Sequence, residues 1–459
     1  MSAIALVLAK RGFSISGSDK NQNNAIQNLS RNNVRIFAEQ RKRNIDFLYK
    51  AVNKKLIIII SSAIPNDNEE LTEAKAKNLK IIHRSDILNY LTQKQPSILI
   101  AGSHGKTTTS TIITTLLDLC KQDPTAIIGG EVPLYQSNGH AGQGKYLVAE
   151  ADESDGTIIK FKADIGVITN LELDHTDFYK DIKSIQTTMK IFSKRSRILI
   201  ANYDSNELKN FLTPQTIWYS IKTKSNVKYA ALPKEVNGNH TIARYYENEK
   251  FRQTLKIPLP GLHNLSNVLS AISVLREIGI SISELSKYIE FVNAPRRRFD
   301  FKGTWEGKQI VDDYAHHPTE IKATINMARL MINNTKSILP KKAKRLVVIF
   351  QPHRYSRTKA MIQEFAESLI NADLVILLPI YSAGEEPIDG VNSKVLASLI
   401  KEKYPNKITK VVNNFTYLKD KLRELNHPDD LILFLGAGNI SNFANKLIIE
   451  NQNIISPSE

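Results

Sequence analysis

Apolar runs of strand length alternate with stretches of helical periodicity along nearly the whole chain. That alternation predicts α/β layering with mostly parallel sheets. Near the start, residues 13–17, 34–37, 56–61 and 80–83 read as short strands. A new unit opens after Pro96, where the buried strand 97–101 runs into a Gly-rich turn and a Thr-rich helix. Strands 146–150, 165–169 and 198–201 continue its sheet, 222–259 is β-rich with a turn at Asn237-Gly238, and 262–279 is helical. A third unit begins near Ala294-Pro295, with strands 309–312, 345–350, 374–378, 408–412 and 431–435. There is no internal repeat and no low-complexity segment.

The beginning breaks the pattern. Residues 2–11 read as a helix with Gly12 as its C-cap, ahead of any strand. A doubly wound domain normally opens with a strand and a Gly-rich turn before its first helix. Either this domain is atypical or the sequence starts too late.

Composition changes this picture little. Of 459 residues, 42% are apolar and 24% charged, which excludes a mostly disordered or collagen-like chain. The single cysteine, Cys120, excludes an intrachain disulfide and makes a reducing compartment the default. It is assigned no role. No apolar run approaches the ~18 residues of a membrane span, and the start lacks the basic segment of a signal peptide. A cytoplasmic protein without membrane insertion is expected. The net charge of +16 would suit nucleic acid or small phosphorylated substrates. The charges are scattered except at Lys341-Lys342-Ala343-Lys344-Arg345, read as a solvated loop, so no nucleic-acid partner is expected.

The strongest local signal is Gly102-Ser103-His104-Gly105-Lys106-Thr107-Thr108, between a strand and a helix. Glycines let backbone N–H groups turn inward, the helix N-terminus adds positive dipole, and Lys106 can reach outer phosphates. Thr107 is placed to hold magnesium. The pattern is not the standard one, since Ile100 stands where its first glycine belongs. The plain alternative is a glycine turn with a chance lysine.

Other polar clusters also end strands. Glu150-Ala151-Asp152-Glu153-Ser154-Asp155 suits magnesium ligation or is an acidic surface turn. In Asn170-Leu171-Glu172-Leu173-Asp174-His175, His175 could ligate metal, touch phosphate or be merely hydrogen-bonded. Asn264 and Asn267 share a helix face and could hold a base or phosphate, or cap the helix. Arg296-Arg297-Arg298 is a nucleotide-reaching hinge or a basic linker. In the third unit, Asp312-Asp313-Tyr314-Ala315-His316-His317-Pro318 and Gln351-Pro352-His353-Arg354-Tyr355-Ser356-Arg357 look like a carboxylate or phosphate reader, or polar surface loops.

Taken together, these residues resemble the Mur ligase family over nearly the whole chain, in order and spacing. The last two clusters resemble its alanine-adding members and their close relatives. The resemblance implies three α/β domains: a Rossmann-like UDP-substrate domain at 1–94, truncated at its start, a central P-loop ATPase-type parallel sheet at 95–294, and a Rossmann-like C-terminal domain at 295–459. It implies ATP-dependent joining of L-alanine to the lactyl carboxylate of UDP-N-acetylmuramate through an acyl phosphate, in cell-wall precursor synthesis. By the same resemblance, Gly102, Ser103, His104, Gly105, Lys106, Thr107 and Thr108 hold ATP phosphates. Thr107 and Glu150 ligate one magnesium and His175 a second. Asn264, Asn267 and Arg298 contact nucleotide and Asp313 its ribose. Tyr314, His316, Arg354 and Arg357 meet the alanine and muramyl carboxylates, and Lys106, Glu150, His175, His316 and Arg354 form the catalytic set. The family's first strand and Gly-rich loop are missing, and Met1-Ser2-Ala3 looks like their end, as if the start codon were placed too far downstream. Gly17-Ser18-Asp19 and Ser61-Ser62-Ala63 are expected near the uridine. The sequence leaves monomer and homodimer open. A ligase that attaches a preformed tripeptide, a P-loop phosphotransferase and a basic nucleic-acid binder are the rival readings.

Overall fold

The computed structural model describes residues 1–19, 23–51, 55–425 and 427–455, of 451–455 the backbone only. The chain folds as three α/β domains. The largest sheet has ten strands. Its centre is Ser97–Ala101, buried at every position, with Leu147–Glu150 parallel on one side and Ala163–Ile168 on the other. Beyond Ala163–Ile168 come Ser196–Asn202 and Ile217–Ser220 in parallel, then Tyr229–Val236, whose neighbours Thr241–Glu247 and Lys250–Ile257 run antiparallel to the edge. The opposite end adds Thr125–Val132 and the edge strand Ser137–His140.

A strand covered on both faces needs apolar side chains throughout. Accordingly, Ile98 and Ile100 enter a core with the helices Lys106–Leu119 and Leu262–Glu277. Leu99 and Ala101 point into the opposite core, which contains Ile185 and Met189 of the helix Ile182–Lys194. The C-terminal sheet repeats this logic. Its order is Asp300–Trp305, Lys308–Asp313, Asp430–Leu435, Arg345–Phe350, Leu374–Leu377, Ile408–Val411, with only the first strand antiparallel. Leu346, Val348 and Phe350 face one core, and Val347 and Ile349 the other.

The N-terminal region departs from a single sheet. Ser16–Ser18 pairs with Arg35–Phe37, Ile57–Ile60 pairs with Lys80–His83, and the two parallel pairs remain separate sheets. The strand expected at 13–17 starts only at Ser16. Gly12 at φ +89° lets the preceding helix close with Phe13 N donating to Leu8 O and Gly12 N to Ala9 O, which consumes residues 12 and 13. That helix, Ser2–Lys10, serves two cores. Leu6 packs with Ile26, Leu29 and Val34, while Ala3, Ile4, Val7 and Leu8 join the central domain.

Four strands escaped the apolar pattern: Thr125–Val132, Ser137–His140, Ile217–Ser220 and Asp300–Trp305. Ser137-Asn138-Gly139-His140 has the composition of a turn. It pairs because the first helix lies on it: a Cβ on Gly139 would stand 2.9 Å from Ala3 O. Gly139→Val therefore forces the helix off the sheet. The expected cost is about 1–3 kcal/mol, read as a lower denaturant midpoint. An unchanged midpoint would show that the helix is not held there.

Candidate active site

The phosphate loop follows the central strand and ends at Gly105, φ +80°, which starts the helix Lys106–Leu119 without a side-chain cap. The first N–H groups of that helix are thus left to an incoming anion. The loop is clamped from behind by the end of the next strand. Thr169 Oγ1 donates to His104 O at 2.6 Å, His104 N donates to Asn170 Oδ1 at 2.9 Å, and Ser103 Oγ donates to Glu172 O at 3.0 Å. Gly102 has no room for a side chain, since a Cβ would collide with Thr169 Oγ1.

Lys106 is fully engaged. Its ammonium donates to Gly102 O at 2.6 Å and to Glu153 Oε1 at 2.7 Å. Burial pushes Lys106 down, but Glu153, Asp152 and Glu150 outweigh it and hold the ammonium above the ordinary lysine range. Glu153 is itself buried, which pushes its carboxyl up to about 7 against the pull of Lys106. Glu150 ends the strand Leu147–Glu150 and accepts from Gly129 N at 2.7 Å and from Thr107 Oγ1 at 3.2 Å. His175, at φ +53°, has Nε2 3.8 Å from both Glu153 and Asp174. Burial pushes His175 down, toward the neutral form that ligates metals. Potential ligand atoms of Asp152, Glu153 and His175 lie within 4.8 Å of one another. Sets rich in carboxylate and hydroxyl oxygen suit a hard divalent cation.

The helix Leu262–Glu277 brings Asn267 to this loop and Asn264, one turn earlier, against Met327 of the third domain, both buried. A Cβ on Gly105 would stand 2.5 Å from Asn267 Oδ1, so the asparagine packs directly on the turn. Asn264 donates to Pro260 O at 2.9 Å. Neither caps the helix, whose N-cap is Gly261.

The linker arginines each find a carboxylate: Arg296 meets Glu131, Arg297 meets Asp312, and Arg298 meets Glu320. The Arg297 and Arg298 guanidiniums lie 5.0 and 5.4 Å from the Tyr314 ring centre. Asp313 is turned inward. Its carboxylate accepts from Phe299 N at 2.7 Å and Ala315 N at 2.8 Å, so it fastens the linker to the C-terminal sheet. His317 caps the helix Pro318–Asn333, with Pro318 in its first turn.

The two arginines of the last cluster reach across to the central domain. Arg357 donates to Asp174 Oδ1 through Nε at 3.0 Å and Nη2 at 2.6 Å, both side chains being 4% exposed. Arg354, at φ +73°, donates to Asp177 at 2.8 Å and Glu385 at 3.3 Å. Thr319 Oγ1 donates to Glu172 at 2.6 Å. The third domain is thereby seated over the phosphate loop. Glu153 and Asp174 fall within polar clusters of the sequence that give them no individual role, and Glu320 lies two residues beyond the cluster that ends at Pro318. Only their partners, far along the chain, reveal what they hold.

Removing Asp174 strands a buried guanidinium. Asp174→Ala is expected to cost about 3–5 kcal/mol in chemical denaturation. Burial acts to raise the Asp174 carboxyl, but Arg357 holds it well below the ordinary value of 3.8. Its contribution is therefore present above that value and lost as pH falls through the lowered one. Acid titrations of wild type and Asp174→Asn should converge only at strongly acidic pH. A constant gap across the titration would contradict the pairing.

Comparison with known proteins places this geometry. The Mur ligase family catalytic domain matches residues 1–95, the Mur ligase middle domain 100–275, and the Mur ligase glutamate ligase domain 297–438. A UDP-N-acetylmuramate–L-alanine ligase of Prochlorococcus marinus is 54% identical over 97% of this chain and 95% of its own. One from a Synechococcus species is 47% identical over 97% and 92%. The crystal structure of UDP-N-acetylmuramate–alanine ligase from Thermotoga maritima superposes with a TM-score of 0.80 at 22% identity, covering 99% of this chain and 97% of its own. A murein peptide ligase from Psychrobacter arcticus gives 0.71 at 20% identity over 99% and 97%. On the strength of the sequence relatives, the chain belongs to the Mur ligase family.

Proposed function

We propose that this protein joins L-alanine to the lactyl carboxylate of UDP-N-acetylmuramate at the expense of ATP, releasing ADP and phosphate. Two high-identity relatives bear that activity in their names. The observation that carries the reading is the seating of the 353–357 loop on the 174–177 loop, through Arg357–Asp174 and Arg354–Asp177. It supports an acceptor region poised above a phosphate loop, as ligation between a phosphorylated acid and an amine requires.

A carboxylate is a poor electrophile, and phosphorylation supplies its leaving group. In our reading, residues 1–94 bind the UDP end, 95–294 bind ATP, and 295–459 bring alanine. The helix N-terminus and Lys106 hold the transferring phosphoryl group, for which Lys106 must leave Glu153. Thr107 and Glu150 would hold one magnesium and His175 a second. Bound there, magnesium offsets charge on the phosphates. Asn264, Asn267 and Arg298 are assigned to nucleotide. Tyr314, His316 and Arg354 are assigned to the acceptor and amino acid. Asp313 suits bracing better than ribose contact, because its oxygens already receive backbone donors. Arg357 reaches substrate only by leaving Asp174. Closure of the third domain would exclude water from the acyl phosphate. Cytoplasmic action fits a nucleotide-dependent enzyme whose sole cysteine, Cys120, is buried and free.

Phosphate release from ATP should require UDP-N-acetylmuramate and L-alanine together. Release with a tripeptide in place of alanine, and none with alanine, would favour the recycling ligase. Release with neither would favour a simple phosphotransferase or ATPase. Lys106→Met is expected to lower kcat by about 100-fold or more. A loss confined to KM would remove Lys106 from the phosphoryl-transfer step.

A further inference from the structure

We propose that Glu320 is a positioning residue that couples the phosphate loop to the acceptor loop when the third domain closes. The inference rests on the ligase reading and extends it. Glu320 lies in the first turn of the helix Pro318–Asn333, with its side chain 10% exposed. A glutamate there ordinarily reaches back to the start of its own helix. One oxygen does so: Oε2 accepts from His316 N at 3.1 Å and lies 3.2 Å from His316 Nδ1. That local task leaves Oε1 unused. Instead, Oε1 lies 3.5 Å from His104 Nδ1 in the phosphate loop and 3.5 Å from Arg298 Nη1 in the linker.

His104 is thus gripped from two sides. Its Nε2 is 3.1 Å from Glu172 Oε2, within its own domain, and its Nδ1 faces Glu320, from the other. The His317 ring, on the same loop as His316, packs 4.5 Å away, centre to centre. Burial pushes His104 down, but the two glutamates overcome it and bring the imidazole up to about 9. Separation of the domains removes Glu320 and leaves the ring one carboxylate. His316 and Arg298 travel with Glu320, since all three lie within 295–459, so closure brings both to the phosphate loop through the one carboxylate. One carboxylate therefore sets the nucleotide end and the acceptor end together.

The test is a double-mutant cycle on the full chain. Glu320→Gln keeps an acceptor for His316 N and removes the charge facing His104. It is expected to lower kcat for phosphate release about ten-fold or more while KM for ATP moves less than about three-fold. His104→Gln should do the same, and the double variant should be no slower than the slower single. Losses that multiply would overturn the coupling, as would a Glu320→Gln effect confined to melting temperature. Should Glu320→Gln not fold, Glu320→Asp, which keeps the charge but shortens the reach, goes through the same cycle. Small-angle scattering separates this inference from the ligase reading, because it needs no turnover. Glu320→Gln should have a larger radius of gyration than wild type, and His104→Gln should add nothing to it. Equal radii overturn the role of Glu320. A wild type that scatters as expected yet releases no phosphate overturns the ligase reading alone.

Discussion

A guanidinium buried between two domains is costly unless its partner is in place. Arg357 meets that condition through Asp174, 183 residues earlier in the chain. Two hydrogen bonds to one carboxylate oxygen fix direction as well as distance. Around that contact gather Arg354 with Asp177, Thr319 with Glu172, and Glu320 with His104. These contacts share with the buried pair the task of holding the register between the two domains. The acceptor loops face the phosphate loop because this one charge has nowhere else to go.

The site is made of two kinds of parts. The phosphate loop is held from within its own domain, where Thr169, Asn170 and Glu172, just past the end of a neighbouring strand, bond to it. The charged side chains are the movable part. Lys106 sits on Glu153 and Arg357 on Asp174, and in the ligase reading each must exchange a protein carboxylate for a substrate oxygen. Such exchanges keep a buried charge paired throughout, which avoids most of the desolvation cost of exposing a bare ion. Of the two, only the Arg357 exchange bears on a contact between domains, since Lys106 and Glu153 both lie in the central one.

How much of this was legible in the sequence depends on distance along the chain. The phosphate loop was readable because strand, turn and helix are contiguous, and its chemistry needs only adjacent N–H groups and one lysine. The central strand 97–101 was readable because burial on both faces leaves an unbroken apolar run. Ser137–His140 was not, because what makes it a strand is the helix Ser2–Lys10 pressing on Gly139. The roles of Glu153, Asp174 and Glu320 were hidden for a related reason: an acidic residue in a loop looks the same whether it faces water or a buried cation. Arg357 could be read as a carboxylate binder, and it is one, but the carboxylate it meets here belongs to the protein.

The far edge of the ten-stranded sheet carries a further consequence. Among the described residues no strand pairs with the outer side of its last strand, Lys250–Ile257, which leaves that edge open to a passing strand. Along it, Lys250, Arg252 and Lys256 stand exposed to solvent. A second copy docking there edge to edge would bring cations against cations. Glu247 offsets the charge of Arg252, so the repulsion at this end of the largest sheet comes chiefly from Lys250 and Lys256, and it disfavours such pairing.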